Sequence, residues 1–164
     1  LNYEKIHMLK LLDECFSKSY KDMRHKNIRI KVQAKDKFVS LYADKNQMKK
    51  AFENLINYCV SNAYEDTEIV CEIGKHNDEN NVFISLGFES PYVSSETIQN
   101  MFRMYTTSAE KMDKVGSSLS LYLAKQIINA HNGKINVESK KSNYNNYSIE
   151  IPCINECKLS AIAC

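Results

Sequence analysis

The chain has 164 residues, with 43% apolar and 26% charged side chains and a formal net charge of +2. That length suffices for one domain with a real core, and the composition is that of an ordinary soluble globular protein. A charge so close to neutral gives no reason to expect binding to nucleic acid or to an anionic membrane, and no run of about 18 apolar residues marks a membrane-spanning helix.

The first residue is Leu1 rather than Met, which suggests a piece of something longer. Residues 1–20 mix apolar and charged side chains without a signal-peptide pattern, so a cytoplasmic setting is expected. Ile6, Leu9, Leu12, Phe16 and Tyr20 recur at three- and four-residue steps, which predicts a helix over residues 3–23. Ile28, Ile30 and Val32 alternate with charged partners as a half-buried strand does, and residues 39–42 make a second short strand. Asp44 reads as an N-cap with Gln47 as its capping-box partner. The helix it opens, through residue 63, carries Met48, Phe52, Leu55, Ile56, Cys59 and Val60 on one face.

Residues 68–73 are strand-like, and residues 76–81 form a polar turn. Val82, Ile84, Leu86 and Phe88 then alternate as a strand with one buried face. Ser94 or Ser95 caps a short helix holding Ile98, Met101 and Phe102. Residues 105–115 are polar, lack a period and read as a mobile loop. Leu119, Leu123, Ile127 and Ala130 predict a helix with those residues inward, stopped by Asn132-Gly133. Residues 134–139 and 147–151 form a closing hairpin, joined by a loop rich in Asn, Ser and Lys.

Cys15, Cys59 and Cys71 lie in apolar stripes, as reduced core thiols of a cytosolic protein do. Cys153 and Cys157, with Cys164 beyond, lack a second pair of ligands, so no metal site is expected. The histidines are His7, His25, His76 and His131, and none lies in a phosphoacceptor motif of the H-E-x-R-T-P kind.

Several motifs stand in order along this pattern. Asn54-Leu55-Ile56-Asn57-Tyr58-Cys59 is followed by Phe88-Glu89-Ser90-Pro91-Tyr92-Val93 and by Gly116-Ser117-Ser118-Leu119-Ser120-Leu121. The run Ala-Lys-Gln-Ile-Ile-Asn-Ala-His-Asn-Gly-Lys-Ile at 124–135 and the final Ser148-Ile149-Glu150-Ile151-Pro152 complete the set. In this order they resemble the ATP-binding catalytic domain of sensor histidine kinases, in the superfamily of gyrase, Hsp90, histidine kinase and MutL ATPases. The resemblance covers roughly residues 3–152. The family boxes read N-L-L-x-N-A, D-x-G-x-G-I and G-T-G-L-G-L. His131 stands where the family has a His before Gly, and is expected to be structural.

The departures bear on function. The resemblance implies that the second Asn of the first box holds magnesium; here it is Tyr58, and a neutral phenol is a poor ligand for a hard cation. Asn54, the first Asn, is retained. The family Asp that receives the adenine amino group is replaced by Phe88, which accepts nothing and would leave a buried amine unpaired at a cost of about 1–3 kcal/mol. Two glycines that let the backbone approach the base become Ser90 and Tyr92, with Tyr92 and Tyr58 expected to fill core space. In the phosphate loop Gly116 is kept, while Ser118 and Ser120 replace glycines and narrow the allowed dihedrals. Together these losses exceed about 4 kcal/mol, roughly a thousandfold in affinity. Glu89 would replace the lost acceptor only after a one-residue slip, which would turn it to the other face of its strand. Lys111 and Lys114 are read as solvated residues of the loop.

The expectation is therefore an α/β (α+β) chain folded as a two-layer α/β sandwich, with a mixed or antiparallel sheet and helices on one face, the Bergerat-type ATPase fold. Residues 1–152 would form a histidine-kinase-type ATPase domain and 153–164 a C-terminal tail. The expected function is that of a degenerate, pseudokinase-type domain in two-component signalling, acting through protein contacts near the 105–115 loop, with no cofactor. The alternative is a working ATP- and magnesium-dependent catalytic domain that phosphorylates a histidine in a preceding helical hairpin. Expected partners are other domains or proteins of a phosphorelay, with any dimer formed through such a hairpin before Leu1.

Overall fold

The structure, a computed structural model, describes residues 1–76, 80–103 and 112–153, with side chains described from residue 119 onward in the last stretch. Its elements in chain order are β1 (Tyr3–His7), α1 (Met8–Lys18), α2 (Tyr20–His25), β2 (Arg29–Ala34), β3 (Ser40–Asp44), α3 (Lys45–Asn62), β4 (Glu68–Lys75), β5 (Asn81–Glu89), α4 (Ser95–Met101), α5 (Met112–Ala130), β6 (Lys134–Lys140) and β7 (Tyr144–Pro152). A five-stranded sheet runs β2-β4-β5-β7-β6. β2 lies parallel to β4 and the other pairs are antiparallel, so the sheet is mixed. The helices lie on one face of it. β1 and β3 form a separate two-stranded antiparallel ribbon.

Alternation along the central strands builds the core. Ile69, Cys71 and Ile73 of β4, Val82, Ile84, Leu86 and Phe88 of β5, and Tyr147, Ile149 and Ile151 of β7 are all buried toward the helices. α3 answers with Met48, Phe52, Leu55, Ile56 and Cys59, each 0% exposed, at three- and four-residue steps. Removing this apolar surface from water is the main force holding the two layers together. Burial pushes the thiols of Cys15 and Cys71 up to about 12 and that of Cys59 up as well. They are inert core side chains rather than reactive ones.

The ends of α3 are well defined. The Asp44 side chain accepts the Gln47 N–H at 3.1 Å as its N-cap, and it also accepts the Asn2 N–H at 2.9 Å. The Gln47 side chain does not complete a capping box, because the Asp44 N–H is donated to His131 Nε2 at 3.2 Å. At the other end Lys26 Nζ donates to the carbonyls of Val60, Ser61 and Ala63 at 2.8, 3.0 and 2.5 Å. It thereby satisfies C=O groups that an α-helix leaves open.

Four expectations are corrected. Residues 3–7 are strand, not helix: Ile6 is buried by pairing opposite Leu41 in the ribbon, and the helix begins at Met8. The mobile loop expected at 105–115 is helical from Met112 onward, and its remaining residues, with Lys111, lie outside the described ones. The inward face of α5 is Leu121, Ala124 and Ile128, whereas Leu119 and Leu123 are 43% and 37% exposed and Ala130 also faces out. The closing loop is only Lys141-Ser142-Asn143, because β7 starts at Tyr144. Asn143 takes the left-handed φ of 59° that such a turn requires. The predicted stop at Asn132-Gly133 holds with roles shared between the two. Asn132 has φ 58°, while a Cβ on Gly133 would sit 2.7 Å from the Glu150 carbonyl. Residues 77–79 of the expected polar turn, and Cys157 and Cys164, lie outside the described residues.

Candidate functional site

α3, β5, the segment after β5, and β7 meet where the motifs converge. The helical step from Asn54 to Tyr58 puts both on one side of α3, and strand alternation turns Phe88 and Tyr147 toward it. Phe88 is 0% exposed, Tyr147 1% and Tyr58 9%. Phe88 and Tyr147 stack with centroids 5.7 Å apart and planes 15° apart. Tyr58 meets Tyr147 edge-on, at 5.6 Å and 61°. The Tyr147 hydroxyl donates to that of Tyr58 at 3.4 Å. Burial pushes both phenols above their ordinary range; the bond to Tyr147 opposes the rise at Tyr58. The three rings form an apolar plug whose two hydroxyls turn toward each other and whose members carry no charge at neutral pH.

The segment after β5 is fastened to the β6–β7 turn. Ser90 and Tyr92 donate their N–H groups to Asn143, to its carbonyl at 3.1 Å and its Oδ1 at 3.2 Å. Ser90 is buried, and its Oγ accepts from Asn145 Nδ2, which also donates to the Pro91 carbonyl at 3.0 Å. Two carbonyls facing this amide nitrogen fix the orientation of Asn145. Its Oδ1 is then left buried without a partner. Tyr92 is 43% exposed and does not fill the core as expected; Tyr147 occupies that role. Glu89 is exposed at the end of β5, and no slip brings it inward.

Asn54 lines a polar cavity of about 240 Å³ with Lys18, Ser19, Asp22, Glu53 and Asn57, and its Nδ2 is buried without a partner. Lys18 and Glu53 pair across this cavity at 2.7 Å. Gly116, Ser118 and Ser120 all lie on α5. The side chain of Ser118 is outside the described ones. A helix that begins at Met112 leaves only its first N–H groups unbonded, so the N–H groups from Gly116 on belong to the helical ladder instead of a phosphate-cradling loop. No group of three or more His, Cys, Asp or Glu suited to a metal occurs among the described residues.

His131 is structural, as expected. Its Nδ1 donates to the Ile127 carbonyl at 2.8 Å while Nε2 accepts from Asp44, a pairing that requires one neutral tautomer. It is 2% exposed and joins the end of α5 to the start of α3. Tyr147 and Asn145 were not singled out in the sequence. The alternation of Tyr147 with Ile149 and Ile151 was the available signal for the first, and a polar residue turned inward gave none for the second.

Comparison with known proteins agrees with this architecture. A sequence model of the family described as histidine kinase-, DNA gyrase B- and HSP90-like ATPase matches residues 43–154. Sporulation kinase E of Bacillus subtilis (strain 168) is 23% identical over 150 residues, 92% of this chain and 20% of that protein. Sensor histidine kinase YvrG of the same organism is 25% identical over 108 residues, 65% of this chain and 18% of that protein. The chain thus spans about a fifth of the length of these curated relatives. Among solved structures, the nucleotide-free catalytic domain of histidine kinase ThkA superposes with a TM-score of 0.79 at 21% identity, covering 93% of this chain and 96% of that one. Full-length ShkA in complex with AMPPNP gives 0.78 at 16% identity, covering 93% and 31%. ThkA in complex with the response regulator TrrA gives 0.77 at 20%, covering 93% and 42%. The fold is that of histidine kinase catalytic domains, and the chain belongs to the histidine kinase-, DNA gyrase B- and HSP90-like ATPase family.

Proposed function

We propose that this chain is a degenerate, pseudokinase-type histidine kinase domain that works in two-component signalling as a regulatory or protein-interaction module, with weak ATP binding or none. The observation that carries this reading is the Phe88–Tyr147–Tyr58 plug. The positions that the resemblance assigns to the adenine acceptor and the magnesium ligand hold rings stacked on a third ring from β7. The residues present do not fit the nucleotide. Phe88 has no acceptor, and the Tyr58 hydroxyl is engaged by Tyr147. Ser90 is locked to Asn145, and the N–H groups from Gly116 on lie within α5. The same reading places residues 1–152 in one domain and takes other members of a phosphorelay as partners, as TrrA is for ThkA.

The alternative, an active ATP- and magnesium-dependent catalytic domain, draws on the family match and on Asn54, whose buried Nδ2 has no partner. Melting the domain with and without magnesium-ADP and a non-hydrolysable ATP analogue separates the two. A ligand at about 100 times its dissociation constant stabilises a fold by about 2.7 kcal/mol. A flat melting temperature supports the degenerate reading, and a rise of several degrees supports the enzyme.

A further inference from the structure

β1 stands apart from the main sheet. It pairs with β3 in the two-stranded ribbon, and of its five side chains Ile6 alone is buried. Glu4, Lys5 and His7 face out. A strand held by a single buried apolar residue is the kind of segment that opens without unfolding the rest of a fold.

The start of this strand is fastened to the ends of two helices. The Asn2 N–H donates to Asp44 Oδ2 at 2.9 Å, while Oδ1 of the same carboxylate accepts the Gln47 N–H in the first turn of α3. The Tyr3 ring lies against that of His131, with centroids 5.6 Å apart. His131 is 2% exposed and bonds the Ile127 carbonyl at the end of α5. Asp44 and His131 are joined in turn, backbone N–H to Nε2. Asp44 is also the last residue of β3, and it stands opposite Tyr3. Releasing β1 therefore removes one hydrogen bond from the cap carboxylate, the strand pairing that fixes the cap backbone, and the ring beside His131. Water then reaches the imidazole and competes for the Asp44 N–H.

We infer that residues 2–7 act as a releasable strap whose docking on β3 locks the start of α3 to the end of α5. With the strap seated, Asp44 caps α3 and His131 holds one tautomer. With the strap released, the first turn of α3 frays and the two helix ends part. A partner or a load that takes hold of residues 1–2 thus acts on both helices without touching either. By reciprocity, whatever tightens the joint between the helices also seats the strap. The inference is separate from the nucleotide question, because it uses none of the residues of that site.

Amide hydrogen exchange on the whole chain, read by NMR, tests this without any ligand. In the native chain the β1 amides, the Asp44 N–H and the Gln47 N–H should exchange with a common protection, well below that of β5, the central strand. Ile6→Glu unseats the strap. It should speed exchange at β1, Asp44 and Gln47 together by at least ~tenfold and leave β5 at its native rates. The ring nitrogens of His131 should pass at the same time from one tautomer to a mixture. Asn2→Pro removes only the Asn2 N–H. It should raise the rates of the same amides by a smaller common factor, and it serves if Ile6→Glu fails to melt cooperatively. Fast exchange at β1 with Asp44 and Gln47 still protected and His131 still one tautomer would overturn the inference, since the strap would then be a passive edge. A loss shared equally by β5 would also overturn it, since β1 would then open only with the whole fold.

Discussion

The ring of Phe88 lies against the ring of Tyr147, 5.7 Å apart and within 15° of parallel. The two are diagonal neighbours across β5 and β7, since Phe88 stands opposite Asn145 and Tyr147 opposite Leu86. Tyr58 closes the pair from α3. Two contacts on the Tyr147 ring therefore tie the central strands to the long helix.

Truncating this contact is expected to be costly. Phe88→Ala should lose about 3–5 kcal/mol of stability, the usual range for deleting a fully buried aromatic ring. Tyr147→Ala should cost a similar amount, and the double variant less than their sum, because the two rings share one cavity. Urea unfolding of the two single variants and the double variant measures this. Strict additivity would mean that the rings do not support each other.

High pH should unfold the chain through its buried phenols and thiols. Tyr58, Tyr147, Cys15 and Cys71 all have values raised by burial. The unfolded chain releases these protons near the ordinary thiol and phenol values, while the folded chain still holds them, so it binds more protons than the unfolded one. Their contribution is then fully present below the unfolded values and is lost as pH rises through and beyond them. Stability should fall from about pH 8.5 upward. Tyrosinate absorbance should show Tyr58 and Tyr147 titrating only as the fold is lost. Early titration of these two would contradict the plug.

The N-terminus of α3 should be sensitive to the side chain of Asp44. Asp44→Ala removes the acceptor of the Gln47 and Asn2 N–H groups and is expected to cost about 0.5–2 kcal/mol. Those two bonds hold the Asp44 carboxyl below its usual range. Its contribution is thus present above the unfolded value and lost as pH falls through the folded one. The difference in melting temperature between the native chain and Asp44→Ala should accordingly shrink in acid. A constant difference would mean that the carboxylate charge plays no part in the cap.

Much of this was legible in the sequence where one period held over several residues. Val82, Ile84, Leu86 and Phe88 on β5 and Met48, Phe52, Leu55 and Ile56 on α3 sit as their spacing predicts. Residues 3–7 misled because Ile6 is the only buried side chain among them. A single apolar residue fits a strand and a helix equally well, and the partner that decides, Leu41, lies far along the chain. The phase of α5 differs from the sequence pattern for a related reason. Leu119 and Leu123 look inward by type, yet the face turned to α3 carries Leu121, Ala124 and Ile128. The altered site positions were visible one at a time. What fills the space was not, because the pairing of β5 with β7 brings Tyr147 to Phe88 and leaves Tyr92 outside.

Calorimetric titration of magnesium-ADP into the native chain and into a variant carrying Tyr58→Asn, Phe88→Asp, Ser90→Gly and Tyr92→Gly tests the central claim most directly. The native chain is expected to show no saturable heat up to ~1 mM ligand, that is, binding weaker than about −4.1 kcal/mol. The variant, if it melts cooperatively, should bind measurably more tightly, because it regains an acceptor, a metal ligand and space. A native dissociation constant in the micromolar range would contradict the account and make this an ATP-binding catalytic domain with an aromatic-lined site.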